Sequence, residues 1–193
     1  MTKDHPTSPT VPSKAQLNAR LNRALLSAGD FGEARDCLRH FQTLDLSTTD
    51  VVVQRALLTA AVIAYCRPFS GNEAHDMATE QVAVKLKALF SDEQRVLHGE
   101  LNALRNEAVA HSDYDRRPVG RTRGSLTGFS IWGANFDLLR EGLDVAKWEQ
   151  MCERLAGECF QRAMVINRQL TLLEDPSLKA LLPSIPNAGS GHG

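Results

Sequence analysis

Apolar residues recur every three or four positions along most of the chain, which is the spacing that gives an α-helix one buried face. Over residues 13–44 this spacing predicts two helical pieces with a break near Gly29-Asp30. Glycine weakens a helix interior, and the Asp30 carboxylate is suited to cap the start of a second helix. We therefore expect a broken helical region at the start of the fold.

The next region, residues 49–65, contains the run VVVQRALLTAAVIAY, which is apolar on nearly every side except at Gln54 and Arg55. A helix with this pattern is expected at the centre of a bundle. The β-branched residues at its start are also common in strands, but the run is longer than most strands. Pro68 and Gly71 then act as stop signals, so we predict a central helix.

A short helix is predicted around residues 79–90, and a longer helix follows it. The longer helix begins with a capping box, in which Ser91 is the cap and Gln94 stands three residues later. Its apolar stripe repeats every three or four residues and consists of Leu97, Leu101, Leu104 and Ala108. We expect this helix to end near His111-Ser112.

Residues 113–135 interrupt the helical pattern, because glycine, proline and arginine are frequent there among scattered aromatic residues. This composition predicts a loop or a small β-hairpin. A final helix then follows Asp144, which is suited to cap it, and spans about 45 Å over roughly thirty residues. A seam this long is also suited to continue across a dimer interface. It consists of Trp148, Cys152, Leu155, Cys159, Ile166, Leu170 and Leu173.

Together these segments predict an all-α fold, an antiparallel bundle of about five helices with one irregular insert near 113–135. Residues 1–12 and 175–193 contain several prolines and little that favours a regular helix. We therefore expect a flexible arm at 1–12 and a flexible tail at 175–193 around a single helical domain at 13–174.

Composition narrows the class of protein. Of the 193 residues, 42% are apolar and 23% are charged, as in ordinary globular proteins, and no signal-peptide core or long uninterrupted apolar run is visible. We therefore expect a cytoplasmic protein without membrane contact. The four cysteines form no CxxC pair, which predicts reduced, buried thiols and no metal site. The net charge of −1 restricts any nucleic-acid contact to a local basic patch.

The stretch LNALRNEAVAHSDYD brings Arg105, Asn106 and His111 together near the end of the helix that Ser91 caps. Arginine binds phosphate through a rigid, permanently charged guanidinium group. Histidine titrates near neutral pH and therefore moves protons to and from a ribose hydroxyl or a leaving oxygen. The pair is suited to RNA cleavage without a metal or another cofactor. The two side chains lie about 120° apart on a helix, so a second copy of the chain would complete such a site.

This motif resembles that of the HEPN superfamily of small helical proteins, in which an arginine, often followed by a polar residue such as Asn, is followed after four to six further residues by a histidine. An AYCRPF-like segment, here residues 64–69, closes an apolar helix before the LRN…AHSD segment, as in a branch of bacterial members. The resemblance covers about residues 50–115. It implies a homodimer in which Arg105 and His111 are catalytic and Asn106 is supportive.

Catalytic members of that superfamily are metal-independent endoribonucleases, and many are toxins or antiphage effectors. The resemblance therefore implies RNA as the substrate and an antitoxin or regulatory protein as a further partner. Some HEPN-like domains use the same helices only for binding. The alternative function is thus a non-catalytic protein-interaction or RNA-binding module.

Structural roles for the motif residues also remain open. A histidine in the last turn of a helix interacts favourably with the helix dipole, which would explain His111 without chemistry. Arg105 is also suited to an ion pair with Glu100 or Asp113. His98 lies seven residues before Arg105 on nearly the same helix face, which makes it a further candidate for a cleft.

A second match to the Arg–His spacing, at residues 35–40, lacks the flanking segments of the first. The insert supplies a separate candidate, an RNA-binding group of four arginines within eight positions, with Tyr114, Phe129 and Trp132 available for base stacking. The alternative is a solvated hairpin whose arginines pair with neighbouring acids such as Asp113 and Asp115. The four arginines are Arg116, Arg117, Arg121 and Arg123.

Overall fold

The computed structural model describes residues 12–70, 84–105, 119–123, 129–133 and 138–180. Within these ranges, an antiparallel hairpin pairs β1 with β2, and the predicted all-α bundle with a small insert is confirmed. The helices and strands are α1 at Lys14–Thr43, α2 at Val51–Cys66, α3 at Leu86–Leu89, α4 at Asp92–Ala103, β1 at Val119–Arg123, β2 at Phe129–Gly133 and α5 at Val145–Glu174.

The first helix, α1, is one continuous helix of 30 residues, so the predicted break near Gly29-Asp30 is wrong. The Asp30 carboxylate caps no helix, because it accepts a hydrogen bond from the Arg67 guanidinium instead. The buried face of α1 continues past the glycine through Phe31 and Leu38. Burying such a face stabilises the helix by more than the roughly 1 kcal/mol that an interior glycine costs.

The two longest helices, α1 and α5, pack against each other in antiparallel orientation. The ion pairs Lys14–Glu174 at 2.8 Å and Arg39–Glu149 at 2.7 Å join opposite ends of the pair, and Arg35–Glu153 at 3.0 Å lies between them. As predicted, Asp144 caps α5 through a hydrogen bond from the Lys147 backbone N–H. The predicted seam is buried at Trp148, Cys152, Leu155, Cys159 and Leu170, half-buried at Ile166 and 53% exposed at Leu173.

The second helix, α2, is the predicted central helix and packs against α1 and α4. Leu58, Val62 and Tyr65 are buried on it, which is the environment expected at the centre of a bundle. By length and composition alone, the segment Val51–Phe69 would also fit a membrane span. Its cysteine, Cys66, is buried like a small hydrophobic residue, and burial raises the pKa of that thiol to about 12.

The fourth helix, α4, begins with the predicted capping box of Ser91 and Gln94. Its predicted stripe is buried at Leu97, Leu101 and Leu104, while Ala108 and the expected helix end near 111–112 lie outside the described residues. The predicted helix at 79–90 is described only in part and is helical at Leu86–Leu89.

The predicted arm and tail lie mostly outside the residues that the structure describes. Residues 1–11 and 181–193 lie outside the described part of the chain. The first residues of the predicted tail, Pro176–Ala180, form a 3-10 turn that contacts α5.

Candidate functional site

One of the two segments that carry the resemblance contacts the helix that leads into the other. The end of α2 and the turn after it, residues 64–69, pack against α4. Tyr65 Oη and His98 Nδ1 are 2.9 Å apart, and the rings of Phe69 and His98 meet edge-on with centroids 4.7 Å apart. The Cys66 thiol donates a hydrogen bond of 3.4 Å to the Leu101 carbonyl. The first segment thus packs beside α4, the helix that leads into the Arg105 motif.

His98 is the polar centre of this contact. Burial lowers the pKa of its imidazole, and burial raises the pKa of the Tyr65 hydroxyl, so both groups are neutral at pH 7. The Asn102 side-chain amide donates a hydrogen bond of 2.8 Å to the His98 carbonyl and lies 3.2 Å from its Nε2. His98 is therefore a half-buried, neutral ring that joins α2 to α4.

Tyr65 needs this polar partner because its side chain is completely buried. Its ring packs edge-on against Phe31 and Trp148, with centroid separations of 5.9 and 6.1 Å, which surrounds the phenol with apolar groups. A buried tyrosine hydroxyl usually finds a hydrogen-bond partner, and here His98 provides it. Sequence reasoning identified His98 but missed Tyr65 and Asn102. The i, i+4 spacing of His98 and Asn102 was the available signal.

Arg105 follows His98 by seven residues, where Leu104 and Arg105 have the wider geometry of a π-helix. Such turns are rare and occur frequently at functional sites. Arg105 is half-buried, and its positive charge lowers the pKa of the Cys66 thiol against the larger, opposite effect of burial. The Arg105 charge therefore acts on the end of α2, beside the contact between Tyr65 and His98.

The remaining predicted catalytic residues, Asn106 and His111, lie outside the described residues, as do Arg116 and Arg117. Arg121 and Arg123 are in β1, opposite Ile131 and Phe129 of β2. The structure therefore places the charge of Arg105 and the ring of His98 near the end of α2, and it places two of the four insert arginines in the hairpin.

The second Arg–His match has a structural explanation. The Arg35 guanidinium binds Asp36 on its own helix and Glu153 on α5, at 2.9 and 3.0 Å. Its side chain is 25% exposed, and it holds α1 against α5. This pair of residue types therefore provides a natural control for the motif at 105–111.

Side chains of α1 hold the turn at residues 67–69 in place. Arg67 forms ion pairs with Asp30 and Glu33, and Arg23 donates a hydrogen bond of 2.6 Å to the Pro68 carbonyl. The sequence suggested only that Arg67 anchors a loop to the core, and these contacts identify α1 as the anchor. The Phe69 ring is thereby held in place beside His98.

The comparisons with known proteins add no relative. Among the described residues, no group of three His, Cys, Asp or Glu side chains is arranged to hold a metal ion. No family model, curated protein or solved structure matches the chain significantly.

Proposed function

We propose that this protein is a metal-independent endoribonuclease of the HEPN type that acts as a homodimer in the cytoplasm. One observation carries the proposal. The segment at 64–69 is in direct contact with α4, the helix that leads into the motif at Arg105, through Tyr65, Cys66 and His98. This packing supports treating the segment at 64–69 and the Arg105 motif as one functional unit.

The proposed chemistry uses Arg105, Asn106 and His111. His111 takes the proton from a ribose 2′-hydroxyl, whose oxygen attacks the adjacent phosphorus, and the 5′-oxygen leaves with a proton from an imidazolium. Arg105 neutralises the charge that develops on the phosphoryl oxygens. Asn106 supports the phosphate by hydrogen bonding. The products are a 2′,3′-cyclic phosphate and a 5′-hydroxyl end.

Two copies of the chain are needed in this scheme. One imidazole acts as base while another acts as acid, and on an ideal α-helix two side chains six residues apart, such as those of Arg105 and His111, would point about 120° apart. A symmetric pairing of the segments that follow α4 would bring the arginine and histidine of both copies around one cleft.

The test is cleavage of a mixed RNA pool by purified protein in EDTA. Wild type should cleave, while Arg105→Ala and His111→Ala should each lose roughly 100-fold or more in rate, since each removes charge stabilisation or proton transfer. The matched controls are Arg35→Ala and His40→Ala, which remove the same residue types from the second Arg–His match and should retain cleavage. Equal activity of wild type and His111→Ala would exclude the proposed chemistry.

An exposed apolar strip favours the second candidate function, a non-catalytic interaction module with an antitoxin or regulatory protein. Phe160 and Met164 on α5 are 52% and 50% exposed, and Leu25 on α1 is 46% exposed. Phe160 and Met164 continue the face of α5 that carries Glu153, next to α1. Exposed apolar groups that cluster in this way often mark protein interfaces. If this candidate is correct, Phe160→Glu abolishes a stable complex that His111→Ala leaves intact.

A further inference from the structure

We propose that one face of the β1–β2 hairpin, the face that holds Arg121, Arg123 and Phe129, binds single-stranded RNA. This inference rests on the proposed function, because it takes RNA as the substrate. It adds a site outside the Arg105 motif and divides the residues of the insert between two faces.

The pairing of the strands determines which positions share a face. Alternate residues of a strand lie on the same side of a sheet, and directly opposed residues of two strands also share a side. Arg123 is opposite Phe129, and Arg121 is opposite Ile131. These four positions therefore occupy one face, which we call the basic face. The opposite face holds the positions of Thr122 and Ser130 and those of Gly120 and Trp132, so the position of Trp132, a predicted stacking residue, is not on the basic face.

The spacing of residues on the basic face matches the spacing of phosphates and bases along a nucleic-acid strand. Two residues along a strand cover about 6.8 Å, so Arg121 and Arg123 are placed to contact successive phosphates of an extended chain. The position of Phe129, directly opposite Arg123, is where an unpaired base would stack beside its phosphate. A base in a duplex is already stacked on its neighbours, which favours a single strand as the ligand.

The hairpin is also close to the motif along the chain. Val119, where β1 starts, follows His111 by eight positions, so the Cα atoms of the two residues cannot be more than about 29 Å apart. An RNA strand held on the basic face therefore lies within a few nucleotides of the proposed cleavage site. With a net charge of only −1, the chain offers no general attraction for RNA, so a local face must supply it.

Binding of a labelled single-stranded oligonucleotide, followed by fluorescence anisotropy over a series of salt concentrations, tests the inference. The measurement uses His111→Ala protein as the parent chain, so that the RNA stays intact. Replacing Arg121 and Arg123 together by alanine should weaken binding at least tenfold and reduce the slope of log K against log salt by about 1.4, because each lost phosphate contact removes about 0.7. The double lysine variant should keep the slope.

Phe129→Ala should weaken binding about tenfold while leaving the salt slope unchanged, because stacking releases no counterions. The matched control is Thr122→Ala on the opposite face, which should bind like the parent chain. Unchanged binding by the double arginine variant, an equal effect of Thr122→Ala, or equal affinity for a duplex of the same length would overturn the inference. Thermal unfolding confirms that each variant is folded.

The outcome is separable from that of the ribonuclease proposal. If wild type cleaves RNA and the hairpin variants bind and cleave as it does, the basic face is not the binding site but the ribonuclease proposal stands. If the chain binds single strands through the basic face and never cleaves them, the hairpin inference stands and the catalytic proposal fails.

Discussion

Replacing Tyr65 by phenylalanine tests whether the contact between α2 and α4 stabilises the fold as its geometry indicates. The substitution removes only a hydroxyl and keeps the ring that packs against Phe31 and Trp148. The lost interaction is the 2.9 Å hydrogen bond to His98 Nδ1. Since the hydroxyl is fully buried, no water replaces it in the folded chain.

The magnitude follows from the two consequences of losing this bond. A net hydrogen bond contributes about 0.5–1.5 kcal/mol, and leaving the partner without its bond adds a desolvation cost. His98 is only half-buried, so that cost is at the low end of the usual range. We expect Tyr65→Phe to reduce the free energy of unfolding by about 1–2 kcal/mol. For a domain of this size the melting temperature should fall by about 3–6 °C.

Urea unfolding, monitored by tryptophan fluorescence, measures the change. The midpoint should move to lower urea while the slope stays constant, because the surface exposed on unfolding is unchanged. The control is the same substitution in a His98→Ala chain, where Tyr65→Phe should no longer lower stability because the hydroxyl has already lost its partner. An equal loss in both chains, or no loss in wild type, would refute the role assigned to this pair.

Three further measurements test other parts of the fold. Folding lowers the pKa of His98, so the unfolded chain binds a proton at this imidazole more readily, and stability should fall as the pH drops below about 6.5. His98→Gln should reduce this loss of stability between pH 7.5 and 5, and a pH profile identical to that of wild type would contradict the prediction. Gly29→Ala should raise the free energy of unfolding by about 0.5–1 kcal/mol, since nothing lies within 4 Å of the added Cβ; a loss of stability in urea unfolding would show that α1 is bent there. Leu101→Ala should lower the free energy of unfolding by about 2–5 kcal/mol because the side chain is fully buried. Val96→Ala, at a position on the same helix that is 62% exposed, should change it by less than about 0.5 kcal/mol. Similar effects of the two substitutions in thermal unfolding would contradict the burial of the Leu101 face.

The helices were predictable wherever one signal dominated. The cap Asp144 and the Ser91 capping box are local chemistry, and both occur as expected. The apolar run of α2 was equally informative, because a long helix that is apolar on most sides is buried only at the centre of a bundle.

The predicted break at Gly29-Asp30 was wrong because the contact that keeps the helix continuous comes from a residue distant in sequence. Glycine and aspartate are local signals for a break, but Arg67, 37 residues later, binds the Asp30 carboxylate and keeps it on the side of a continuous helix. The network of Tyr65, His98 and Asn102 was missed for a related reason. His98 and Asn102 are neighbours on one helix, whereas Tyr65 joins them only through the packing of α2 on α4.

The candidate catalytic site remains a prediction at Asn106 and His111, which lie outside the described residues. What sequence could predict was the local motif and its chemistry. What it could not predict was the setting of Arg105, whose charge acts on Cys66, a residue that precedes it by 39 positions.

The chemistry of the RNA ends produced by the purified protein tests the central claim most directly. Wild-type protein is incubated in EDTA with an RNA of known sequence, and the fragments are analysed by mass spectrometry beside those from His111→Ala. We predict 2′,3′-cyclic phosphate and 5′-hydroxyl ends from wild type and intact RNA from the variant. Fragments with 3′-hydroxyl ends, or the same fragments from both proteins, would contradict the account.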